Sequence, residues 1–187
     1  MKLILVSGGA ASGKSEYAEN LLLQLGKGAG KTYLATMLRD GREAEERIAR
    51  HTALRKGKGF STVECSADIT RVISACKEAV LLEDLSNLVA NEMFGAGEKR
   101  QDPVMTREKD TAKRVAADVL QLAKHKELLV VVTNEIFSDG LFYSEETRQY
   151  IRILGRTNAL LAQSADAVVE VVYGIPVWQK GKECVIR

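Results

Sequence analysis

The stretch "LILVSGGAASGKS", residues 3–15, decides the fold. Leu3 to Val6 is a short apolar run of the kind found in strands buried on both faces, and Glu16 to Leu25 continues as a helical pattern. Between them, Gly8, Gly13, Lys14 and Ser15 satisfy the spacing G-x-x-x-x-G-K-[ST]. Glycines let a backbone curl until consecutive N–H groups point inward at phosphate oxygens, and the helix that follows adds its positive end. A glycine-rich βα turn without a ligand would explain the glycines, but not the Lys-Ser pair at this offset. Gly8, Gly9, Ala10, Ala11, Ser12, Gly13, Lys14 and Ser15 are therefore the expected nucleotide-binding loop. Lys14 is expected to reach the β- and γ-phosphates, and the Ser15 hydroxyl to ligate Mg²⁺.

Outward from this loop, short β-branched runs alternate with longer amphipathic segments, as in βα units wound into a largely parallel sheet. Strands are expected near 2–6, 31–36, 61–65, 79–83, 128–133 and 167–173, with a last strand near 183–187. Helices are expected near 14–25, 42–56, 68–77, 85–95, 107–125 and 144–164. The reading is one α/β domain over residues 1–187: a P-loop NTPase of RecA-like kind, with a mostly parallel sheet flanked by helices. Residues 95–103, "GAGEKRQDP", form a polar loop without marking a domain boundary.

Composition narrows the partners. The 27 basic and 25 acidic residues leave a net charge of +2, which favours neither nucleic acid nor an anionic membrane. No run approaches the roughly 18 apolar residues of a membrane span. Cys65, Cys76 and Cys184 are widely spaced with no histidine nearby, so neither a disulfide framework nor a zinc site is suggested. A cytoplasmic protein is expected, since "LILV" is too short for the core of a signal peptide.

Acidic groups at strand ends complete the picture. "AVLLED" places Glu83 and Asp84 at the end of a buried strand, where ligands gather in open α/β sheets. One such carboxylate can hold the metal and the other can start the next helix. "TNEI", residues 133–136, would bring Thr133, Asn134 and Glu135 to the same rim, as ligand contacts or as ordinary strand-ending residues.

The stretch "RIARHTALR", residues 47–55, sets His51 among arginines. On a helix, a spacing of four aligns Arg47, His51 and Arg55 on one face. Two guanidiniums beside an imidazole disfavour its protonation and leave a lone pair near neutral pH. That describes a nucleophile beside an anion clamp, and it equally describes a histidine on a solvated helix face. His125, in "LAKHKE", has only the second reading.

Taken together, "LILVSGGAASGKSEYAE", "YLAT", "RIARH", "STVE", "LLEDLSNLVANEMF", "VVVTNE" and "LGRTNALLAQSADAVVEVVYGIPV" resemble the adenosylcobinamide kinase/adenosylcobinamide-phosphate guanylyltransferase family across nearly the whole chain. The resemblance implies a bifunctional enzyme of cobalamin biosynthesis. It would phosphorylate adenosylcobinamide with ATP or GTP, then transfer GMP from GTP to adenosylcobinamide phosphate with release of pyrophosphate. It makes His51 the guanylylated residue and Arg47 and Arg55 clamps for the triphosphate. Glu83 becomes the acidic metal and nucleotide residue, and the nucleotide set extends to Glu64 in "STVE". A cytoplasmic homotrimer is implied, with nucleotide sites near subunit contacts.

The chain departs from the family pattern at Ala11, where the family has arginine, at Phe60, where it has tryptophan, in the loop "IFSDGLFYSEE", and at Arg152, where it has aspartate. Two other functions fit the P-loop alone: a small-molecule kinase with a structural His51, or a non-catalytic nucleotide-binding regulatory protein.

Overall fold

The computed structural model describes residues 1–38, 55, 57–95, 104–137 and 143–185. Within them the strands are β1 (Lys2–Ser7), β2 (Lys31–Ala35), β3 (Phe60–Glu64), β4 (Ala79–Glu83), β5 (Leu128–Val132), β6 (Ala167–Val172) and β7 (Ile175–Lys180). The helices are α1 (Lys14–Leu25), α2 (Leu85–Phe94), α3 (Val104–Lys124), α4 (Glu145–Ser164) and the short α5 (Lys182–Val185).

The strands form one sheet in the order β3-β2-β4-β5-β1-β6-β7. All neighbours are parallel except β6 and β7. Because side chains alternate across a strand, each central strand feeds two cores. Leu3, Leu5, Val80, Leu82, Leu129 and Val131 pack on the face covered by α2, α3 and α4. Ile4, Val6, Leu81, Val130 and Val132 pack on the face covered by α1. Burial on both faces is why these strands read as unbroken apolar runs.

Register then fixes one working edge. Val6 pairs with Val132, Leu82 with Val131, and Ala35 with both Glu83 and Glu64. The carboxyl ends of β1, β2, β3, β4 and β5 therefore open onto a common rim, the usual ligand side of a parallel sheet.

Two expectations are corrected. The helix expected over 68–77 is a 3₁₀ helix over Ile69–Ala75. Its sequence, "ITRVISA", is crowded with β-branched residues that lose side-chain freedom in an α-helix. The last strand is Ile175–Lys180, not 183–187, and residues 182–185 form α5. It turns back on β6 through Tyr173 and Gly174, both at positive φ (52° and 79°), the geometry of a two-residue hairpin turn. Pro176 is tolerated because β7 is the sheet's edge. The helix expected over 42–56 lies outside the described residues except at Arg55, which sits in a turn.

Candidate functional site

β1 delivers the chain into a loop that closes on itself. Ser12 N–H donates to Gly9 O (3.3 Å), and Tyr17 N–H donates to Gly13 O (3.0 Å) as α1 begins. Gly13 has φ 87° and Ala11 φ 54°, both in the left-handed region. Ala11 bears roughly 1 kcal/mol of steric cost there, and glycine at position 13 avoids that cost.

Gly8 is needed for a different reason, since a Cβ added to it would lie 2.5 Å from Ser12 Oγ and 2.7 Å from Val171 O. Gly8→Ala should therefore destabilise the protein by about 1–3 kcal/mol. A melting temperature equal to that of the parent would refute the tight approach.

Three of the residues expected from sequence to bind nucleotide, Lys14, Ser15 and Glu83, converge on this loop. Lys14, although only 8% exposed, turns its Nζ back to donate to Gly9 O at 3.0 Å. Ser15 Oγ donates to Glu83 Oε1 at 2.6 Å, joining α1 to the end of β4. Burial pushes the Glu83 carboxyl up to about 7, aided by the nearby charge of Asp84. The Ser15 hydrogen bond and the charges of Lys14 and Arg55 pull in the opposite direction. Ser12 Oγ is buried without a hydrogen-bond partner among the described residues. A loop holding an orphaned hydroxyl and a lysine folded back on its own carbonyl fits a cradle shaped for an anion. Ser15 Oγ and Glu83 Oε1 are a pair of hard oxygen donors, the kind Mg²⁺ takes alongside substrate phosphates.

The roles of the two acids at the end of β4 separate here. Asp84 caps α2 by accepting from Asn87 N–H at 2.7 Å. Its peptide is also held by Thr36, whose Oγ1 donates to Asp84 O (2.7 Å) and accepts from Asp84 N–H (2.9 Å). Glu83 is left facing Ser15.

Arg55 comes to the same region from outside the sheet. It is 8% exposed, with its guanidinium carbon 3.2 Å from the centroid of the Tyr33 ring, a close cation–π contact. Lys58 pairs with Glu19 of α1, so this segment is tied to both α1 and β2.

Glu64 ends β3 exposed, with β2 between it and β4. Two strand spacings set its Cα roughly 10 Å from that of Glu83. Arg47 and His51 lie outside the described residues.

The "TNE" segment reaches the rim as anticipated. Thr133 Oγ1 donates to Asn158 Oδ1 (2.9 Å), Asn134 N–H to Ser86 Oγ (3.0 Å) and Glu135 N–H to Gly8 O (2.9 Å). The last contact buttresses the phosphate loop. Tyr150, from α4, donates to Ser86 O at 3.3 Å, and burial together with the charge of Asp84 pushes its hydroxyl up to about 12. Sequence reasoning missed Ser86, Tyr150 and Asn158, which are ordinary helix residues until the fold gathers them. Arg152 pairs with Glu145 at 2.9 Å on an exposed part of α4.

Residues 4–178 match the family described as cobinamide kinase / cobinamide phosphate guanyltransferase, CobU. The chain belongs to this family. The bifunctional adenosylcobalamin biosynthesis protein of Salmonella typhimurium is 34% identical over 184 residues, covering 94% of this chain and 98% of its own length. Its Escherichia coli counterpart is 33% identical with the same coverage.

Among solved structures, the flagellar accessory protein FlaH of Methanocaldococcus jannaschii superposes with a TM-score of 0.51 at 15% identity, over 96% of this chain and 78% of that one. A solved ATPase domain gives 0.52 at 10% identity, over 90% of this chain and 68% of its own. These likenesses are of fold alone. Family membership makes the chain a kinase and guanylyltransferase of adenosylcobalamin biosynthesis, and the non-catalytic alternative falls away.

Proposed function

We propose that the two transfers use the residues gathered at the β1–β4 edge, with Mg-NTP in the phosphate loop and His51 as the guanylyl carrier. The carrying observation is the Ser15–Glu83 contact at 2.6 Å beside Lys14. In the kinase step the hydroxyl of adenosylcobinamide attacks the γ-phosphorus of ATP or GTP. The bond to the nucleoside diphosphate breaks, and the hydroxyl proton leaves to a base or to water. Phosphoryl transfer asks mainly for positioning and charge neutralisation, which the loop N–H groups and Lys14 provide. Bound at Ser15 and Glu83, Mg²⁺ would supply further charge neutralisation at the β- and γ-oxygens.

In the second transfer the His51 imidazole attacks the α-phosphorus of GTP and pyrophosphate departs. A phosphate oxygen of adenosylcobinamide phosphate then displaces the imidazole, forming the new phosphoanhydride of adenosylcobinamide-GDP. Arg55 supports this assignment. It lies four residues beyond His51, and a chain of that length reaches at most about 14 Å even fully extended. Arg55 is itself close enough for its charge to act on Glu83. With Arg47 it serves as a clamp for the triphosphate.

Incubation with α-labelled GTP should leave acid-labile label on the protein, and His51→Ala should carry none while retaining phosphorylation of cobinamide. Label persisting in His51→Ala would remove the histidine from this role. We further take the enzyme to be a cytoplasmic homotrimer, a state that light scattering of the purified chain measures directly. Buried free Cys65 and Cys76 suit a reducing compartment.

A further inference from the structure

We propose that Tyr173, at the tip of the β6–β7 hairpin, is the stacking platform for the purine base of the nucleotide held by the phosphate loop. The inference rests on the assignment of that loop to a nucleoside triphosphate, and adds where the base lies.

The first observation is exposure. Tyr173 is 94% exposed, and its neighbours across the turn, Val172 and Ile175, are 38% and 65% exposed. Tyr173 also adopts φ 52°, in a turn position where glycine, asparagine or aspartate is the usual choice. A large aromatic ring at a strained position, almost wholly exposed beside two exposed apolar residues, contributes no core packing.

The second observation is anchorage. Gly174 N–H donates to Ser12 O at 2.8 Å, so the hairpin tip is hydrogen-bonded to the phosphate loop itself. A Cβ placed on Gly13 would lie 3.5 Å from Gly174 Cα, so the two backbones are in direct contact at the start of α1. Tyr173 is thus held at the rim of the cradle by the same backbone that forms it.

The third observation is direction. Glu83 ends β4, on one side of β1, whereas the hairpin extends β6, on the other side. Lys14 and the Ser15–Glu83 pair fix the end of the triphosphate that reacts. A phosphate chain lying along the loop with its γ-end toward Glu83 leaves its nucleoside on the β6 side, where Tyr173 stands. An aromatic ring accepts the face of a base without reading its edge, and the apolar neighbours keep water from the stack.

The test compares binding of Mg-GTP, Mg-ATP and Mg-tripolyphosphate to wild type, Tyr173→Ala and Tyr173→Phe, by calorimetry, with molar mass followed by light scattering. Stacking predicts that Tyr173→Ala binds both nucleotides about 5- to 100-fold more weakly. Tyr173→Phe should keep wild-type affinity, and tripolyphosphate should bind all three proteins alike. Unchanged nucleotide affinity in Tyr173→Ala overturns the proposal. So does an equal loss for tripolyphosphate, which would mean that the loop itself was disturbed. A fall in molar mass with nucleotide affinity intact would reassign the hairpin to subunit contact. If wild type binds neither the nucleotides nor tripolyphosphate, the loop assignment fails, and the stacking site fails with it.

Discussion

Lys14→Ala should lower kcat/KM for phosphorylation of cobinamide by about 10²- to 10³-fold, the usual effect of removing one preorganised donor from a site of developing charge. The lysine is buried, and its Nζ already spans the loop to Gly9 O at 3.0 Å. Its ammonium group is therefore held where phosphate oxygens would replace the carbonyl as partner. The same substitution removes a positive charge that holds down the Glu83 carboxyl. The acid limb of the pH–rate profile should consequently move to higher pH. Steady-state rates at subsaturating Mg-NTP across pH, where the carboxyl of the free enzyme is the group that titrates, measure both effects, and activity within tenfold of wild type would refute the assignment of Lys14.

Glu83→Gln should separate activity from stability. Activity should fall at least 10²-fold, because a neutral amide is a poor partner for Mg²⁺. Stability of the ligand-free protein at pH 8 should rise. The folded carboxyl titrates at about 7, above its ordinary value of 4.5, so the folded state holds a proton that the unfolded chain has lost. Stability therefore falls as pH rises from 4.5 to 7, and above 7 the full cost of the buried charge is present. Glutamine removes that cost, for an expected gain of about 1–3 kcal/mol at pH 8. The gain should vanish below pH 4.5, where the carboxyl is protonated in both states. Added Mg-NTP should reverse the order of melting temperatures, since it binds the folded wild type more tightly. A variant that melts below wild type at pH 8 without ligand would show that Glu83 is not a desolvated charge.

The opposed effects at Glu83 have a common cause. A carboxylate kept from water and faced by Ser15, Lys14 and Arg55 is costly to maintain and well prepared for a cation. Local instability at a functional site is the usual companion of such preorganisation.

What could be read in advance followed from the length scale of each signal. The phosphate loop is contiguous, so its glycines, Lys14 and Ser15 announced the turn between β1 and α1. The central strands were legible because burial on both faces demands unbroken apolar runs. The segment 69–75 misled because its apolar spacing suits a helix, while its β-branched residues and the left-handed Asp68 tighten it to 3₁₀. The last strand was misplaced although "VVYGIPV" carries the signal, two turn residues between β-branched runs.

By itself, then, the sequence determined the parallel α/β architecture, the phosphate loop and, through its ordered motifs, the family. These rest on local backbone chemistry and on the two-sided burial of strands, both written in adjacent residues. Tertiary structure decided which carboxylate faces the phosphate loop. Glu83 and Asp84 are neighbours with the same chemistry, and only the placement of Ser15 and of the α2 N-terminus gives one to the phosphate loop and the other to a helix cap. It also brought Arg55 onto Tyr33, Ser86 beneath Asn134, and the Tyr173 hairpin against Ser12. Contacts between residues tens of positions apart depend on sheet order and register, which no short stretch of sequence encodes.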